Sequence, residues 1–153
     1  MSAVAHRGAT APRIVAGHRV RPLLLVVAIL LLAATIVAAT LTQTSGWWVA
    51  VGLLAPDLVP LVRFRRPDEP GRMPASMVGL YNATHALPGP FVLAGIGILV
   101  AQPVAVVVAA AWATHIVSDR AVGYTLRDRH GGMRGAAPAP AARQHAEAGM
   151  PRR

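Results

Sequence analysis

Residues 103–120 read PVAVVVAAAWATHIVSDR, and the chain continues Ala121-Val-Gly123-Tyr124-Thr-Leu-Arg127. Positions 103–114 carry no charge and read as membrane. A histidine, an aspartate and an arginine then arrive within six positions. On a helix His115 and Asp119 are four apart and share a face, whereas Arg120 points elsewhere. An imidazole and a carboxylate together at the mouth of an apolar segment need a partner or a task, because ionisable groups are costly inside a bilayer.

The rest of the chain fits that setting. Its 153 residues are 54% hydrophobic and 14% charged, with a mean hydropathy of +0.49. The 15 cations are all arginine and face 6 acids, for a formal charge of +9. These arginines sit between apolar runs and in the tails, which suits basic loops of a membrane protein and argues against nucleic acid as a partner. With no cysteine, disulfides, thiolate metal sites and a cysteine nucleophile are excluded.

Working back along the chain, four apolar runs appear. The first, 23–41, is longer than the core of a signal peptide and long enough to span. It follows a basic arm, 1–22, with no acid and no face to bury. The second, 47–62, opens on Trp47-Trp48, a pair suited to the headgroup layer, and contains Pro56, Asp57 and Pro60. An arginine-rich loop, 63–72, leads to the third run, 74–101, which holds Tyr81, Asn82, His85 and the breaker Leu87-Pro88-Gly89-Pro90. The fourth follows the Gln102-Pro103 turn. Arginines fill the arm, the 63–72 loop and the tail, while the 42–46 and 102–103 turns have none. The positive-inside rule then predicts an all-α bundle of four transmembrane helices with both termini cytoplasmic. The domain is expected over 23–128, with a disordered basic tail at 129–153, where His130 and His145 are read as solvated, like His6 and His18 in the arm.

Asp57, Asn82, His85, His115 and Asp119 are the unusual residues of these runs. A rise of about 1.5 Å per residue places all five between roughly 15 and 24 Å from the outer face. Three different runs supply them, so they can converge without distorting any helix. Pro56, Pro60, Pro88 and Pro90 each remove a backbone donor, freeing the carbonyls of Gly52, Pro56, Thr84 and Ala86 around Asp57 and His85. Two imidazoles and two carboxylates suit one divalent metal, such as zinc, iron or manganese. Asn82 would orient a ligand from outside the donor set, and Tyr124 would stand at the cytoplasmic mouth or anchor the interface. The same residues also suit a structural network, with Asp57 and Asp119 paired to His85, His115 and Arg120, or a proton pathway. No spacing matches a known zinc motif. Trp112 reads as packing or lipid-facing.

Pro56-Asp57, Tyr81-Asn82-x-x-His85 and His115-Ile-x-x-Asp119-Arg120-x-x-Gly123-Tyr124-x-Leu-Arg127 together resemble the bacterial membrane family called domain of unknown function 4260. The resemblance covers about 23–128. Ser118 and Thr125 stand where the family more usually has Phe and Gly, and Val117 where it has Gly; these departures touch packing and the turn, not the His/Asp set. The resemblance implies a small multi-pass protein of the bacterial inner membrane, with the lipid bilayer as partner, and implies no activity. A looser similarity, to membrane-bound metal-dependent hydrolases, points to metal-assisted hydrolysis. The alternative is a non-enzymatic bundle whose polar core fixes helix register, alone as a homo-oligomer or in a larger membrane assembly.

Overall fold

Proline at the first turn starts three of the helices, where its missing N–H costs nothing. The computed structural model describes residues 20–61 and 72–134. The N-terminal arm, nearly all of the arginine loop and the tail from 135 lie outside the described residues. Among those described, the order is α1 (Pro22–Leu41), α2 (Gly46–Leu61), α3 (Ala75–Thr84), α4 (Pro88–Leu99) and α5 (Pro103–Ala121). The protein is all-helical. α1 and α5 are each long and apolar enough to cross a membrane.

The expected single helix over 74–101 is two helices. α3 ends at Thr84, with His85 as its cap, and α4 begins at Pro88. The reason is local: Pro88 and Pro90 cannot donate to carbonyls a turn behind them, so the hydrogen-bond ladder stops. Pro56 and Pro60, by contrast, leave α2 unbroken.

α5 is the hub, packed by α1, α2 and α4. Small residues make that possible. Ala109 and Ala111 are buried on α5, and a Cβ on Gly52 of α2 would lie 2.5 Å from the Val108 carbonyl. One on Gly97 of α4 would lie 2.9 Å from Ala105 Cβ. Close backbone approach through Gly and Ala is how helices associate where apolar burial gives little drive. On α1, Ala28, Thr35 and Ala39 form the buried face, and Thr35 returns its hydroxyl to the Leu31 carbonyl at 2.7 Å. The opposite face leaves Leu23, Val26, Ile29, Leu30, Ile36 and Val37 exposed.

Three helices close in the same way. Thr44 N–H donates to Ala39 O, Gln102 N–H to Gly97 O and Tyr124 N–H to Asp119 O, at 2.7–2.8 Å. The residue before each donor is left-handed: Gln43 at φ 53°, Ala101 at 51° and Gly123 at 96°. This six-to-one closure satisfies a carbonyl that the last turn leaves open.

One end of the bundle gathers the charge. Arg21 N–H donates to Ala121 O, joining the start of α1 to the end of α5. Residues 124–134 then fold back, where a disordered tail was expected from 129. Asp128 Oδ1 accepts from the N–H groups of His130 and Gly132, and Met73 N–H donates to Gly131 O. Gly131 has φ +79°, and a Cβ there would meet the Met73 carbonyl, so the close approach requires glycine.

Candidate metal centre

His85 caps α3 at the break between α3 and α4, and is 1% exposed. Its ring is held by a stack, an edge contact and a hydrogen-bonded nitrogen. Tyr81, one turn earlier on the same face, stacks on it at 4.0 Å and 16°. His115 of α5 meets it edge-on, with centroids 5.3 Å apart. His85 Nδ1 lies 3.0 Å from the Tyr81 carbonyl and 3.0 Å from Thr84 Oγ1. A carbonyl only accepts, so Nδ1 carries the proton and donates. In the neutral ring Nε2 is then a bare lone pair.

That lone pair faces other donor atoms. His85 Nε2 is 3.1 Å from Asp57 Oδ1, 3.4 Å from His115 Nε2 and 3.7 Å from Asp119 Oδ2. His115 Nε2 is 3.7 Å from Asp57 Oδ1 and 3.6 Å from Asp119 Oδ2. The ligand atoms of Asp57, His85 and His115 lie within 4.8 Å of one another, close enough to share an ion. α2, α3 and α5 therefore bring together all four residues that the sequence singled out as a donor set. They are unequally covered: the side chains of His115 and Asp119 are 11% and 20% exposed, and that of Asp57 63%. Asp57 leaves the cluster open on one side.

The residues expected around that set behave differently. Asn82 does not reach it. Its side-chain amide pairs with the main chain of Arg127, donating to the carbonyl at 2.9 Å and accepting from the N–H at 2.8 Å. Arg120 does not pair with either aspartate among the described residues. It donates to His85 O and Tyr124 O, both at 2.8 Å. Tyr124 is half-exposed at the end of the bundle.

Arg120 and Trp112 explain how the α3–α4 break is tolerated. The indole N–H of Trp112 donates to Thr84 O at 2.6 Å, and Arg120 takes His85 O. The Thr84 and His85 carbonyls are thus satisfied by side chains of α5, while Ala86 O accepts from Gly89 N–H at 3.4 Å. The Trp112 ring lies against Gly89, where a Cβ would come within 2.5 Å of Cη2. Trp112 therefore packs inward and also carries a hydrogen bond that the sequence reading missed. Arg127 was missed too: its guanidinium stands 5.5 Å over the Tyr81 ring. Only the i, i+4 spacing of Tyr81 and His85 was a usable signal for these supports.

Among the described residues the chain is all-helical, with a buried and a partly buried histidine facing two carboxylates. Its residues 21–134 match the family model described as domain of unknown function (DUF4260), and the chain belongs to that family. No curated protein matches it, and no solved structure does.

Proposed function

We propose that this chain is a four-span membrane protein holding one divalent cation on Asp57, His85, His115 and Asp119 for hydrolytic chemistry. The observation that carries the metal is the spacing. Zinc-type bonds of roughly 2.0–2.1 Å set tetrahedral donor atoms about 3.3 Å apart, and five of the six separations among the four donors run from 3.1 to 3.7 Å, with Asp57, His85 and His115 forming the closest-knit three. Four of the five exceed the range of about 2.7–3.2 Å for a good N–H···O bond. The His85 tautomer supports the same reading, because an N–H donated to a main-chain carbonyl is how ligating histidines are oriented. Two carboxylates and two neutral imidazoles would also make the centre electrically neutral with a divalent ion, which suits an apolar surround.

A divalent cation held by three of these donors, with the remaining position left to water, would supply a Lewis acid and a water made acidic enough to attack at neutral pH. The chain's own part is to hold the donors rigidly, through the Tyr81 stack and the Nδ1 bond, and to leave the Asp57 side open for entry. The membrane setting is supported by the two long apolar helices and by the exposed apolar faces of α1 and α4. α3 and α4 together would make the third crossing.

One observation favours a second reading. The 3.1 Å Asp57–His85 contact is also a hydrogen bond if His85 is a full imidazolium. The cluster would then be a structural ion network without activity. Metal analysis of protein purified without chelator separates the two. We expect one zinc, iron or manganese per chain, lost in His85→Ala/His115→Ala; native protein free of metal would leave the ion network standing instead.

A further inference from the structure

We propose that the metal centre acts on an amphiphile of the cytoplasmic leaflet, whose single apolar tail lies in a pocket adjoining the donors; this rests on the metal reading above. The pocket has a volume of about 230 Å³ and is lined by Ala55, Pro56, Thr84, Leu93, Val108 and Trp112, with Gly52 at its back. Three of its lining residues stand next to, or one turn from, a donor in the chain. Pro56 precedes Asp57, Thr84 precedes His85, and Trp112 lies one turn before His115.

Its chemistry selects the occupant. The exposed lining is apolar throughout. Pro56 has no N–H, the Thr84 carbonyl is taken by Trp112, and the Thr84 hydroxyl is directed to the Leu80 and Tyr81 carbonyls. No polar atom is exposed in the pocket to hold a polar molecule. The volume falls below the roughly 300–1,000 Å³ of sites for drug-sized ligands, which suits one thin chain.

Its direction selects the source. α2 and α5 run toward the arginine-bearing end, and Ala55, Val108 and Trp112 come before their donors. α4 runs away from that end, and Leu93 comes after His85. All three elements therefore place the pocket on the side of the centre away from the basic end. At about 1.5 Å per residue, Trp112 and Val108 lie roughly 4.5 and 10 Å beyond His115. A headgroup at the metal would then have its tail directed along the bundle, away from the basic, cytoplasmic side. The exposed Asp57 side receives the head.

The test uses full-length zinc-loaded protein in lipid nanodiscs, with Trp47→Phe and Trp48→Phe so that Trp112 is the sole emitter. The probe is a fatty hydroxamate brominated in mid-tail, whose head chelates zinc and whose bromines quench a nearby indole. Trp112 emission should fall and saturate at one probe per zinc, far beyond the fall caused by a brominated alcohol of equal length. Ala55→Leu, and separately Leu93→Phe, should abolish that excess while the zinc content stays unchanged. Equal quenching by the alcohol, or full quenching in both filled variants, overturns the tail pocket. Protein that takes up no zinc fails the metal reading first, and zinc content measured on the same samples tells the two failures apart.

Discussion

At Trp112 a single indole N–H bridges two helices by donating 2.6 Å to the Thr84 carbonyl. Trp112→Phe deletes that donor together with the distal ring that lies against Gly89. A buried carbonyl left without a partner costs about 1–3 kcal/mol, so the variant should unfold earlier by at least that amount in an SDS titration. Because Thr84 abuts His85, metal retention should weaken as well; unchanged stability and unchanged metal content would show the bond to be dispensable. Gly89→Ala reaches the same place from the other side, since its Cβ would enter the Trp112 ring. The convergence of Asp57, His85, His115 and Asp119 was legible from the sequence: all four are ionisable groups in apolar runs, and cost alone directs them toward one another. Their supports were not. Asn82 finds Arg127 and Arg120 finds His85 O across 45 and 35 positions, and hydrogen bonds from a side chain to a distant main chain leave no periodic trace.

At the level of elements, the helix ends carry two predictions. Ala101 adopts φ 51° after α4, a conformation that costs a residue with a Cβ roughly 1–2 kcal/mol. Ala101→Gly relieves this but loses some backbone freedom on folding, so a net gain of up to about 1 kcal/mol is expected in the same titration. Gly123→Ala, at φ 96°, should do the reverse and loosen the Tyr124–Asp119 closure beside the donor set. The second prediction concerns pH. The N–H groups of His130 and then Gly132 hold the Asp128 carboxyl below the usual carboxylate range. A depressed folded-state value means that the turn's stability is present above about pH 3.9, the unperturbed value, and is lost as pH falls through the folded-state value. The His130 and Gly132 amide resonances should move in that acid window and stay fixed through it in Asp128→Ala. The break between α3 and α4 was only half legible. The proline pair marks a breaker in the sequence, but the capping of α3 by a donor histidine depends on α5 supplying Trp112 and Arg120.

For the whole molecule, the hydrogen bonds that tie Arg21 to Ala121, Met73 to Gly131 and Asn82 to Arg127 gather the start of α1, the start of α3 and the end of α5 at one end. Arg21, Arg72, Arg120, Arg127, Arg129 and Arg134 all lie in segments meeting there, while the opposite turns, 42–45 and 100–102, carry no charge. If the bundle spans the membrane, the positive-inside rule makes the arginine-bearing end cytoplasmic. This orientation matters for the proposed site, since it decides which leaflet the exposed Asp57 would face. Reporter fusions after Thr42, Arg66, Gln102 and Arg134 read it directly: Arg66 and Arg134 should report cytoplasmic, Thr42 and Gln102 external. The Arg66 fusion is the discriminating one, because α2 is the shortest crossing and contains both Asp57 and two prolines. An external signal there would mean that α2 turns back before crossing. The donors of α2 and α5 would then sit at different depths, and the four-residue centre would lose Asp57.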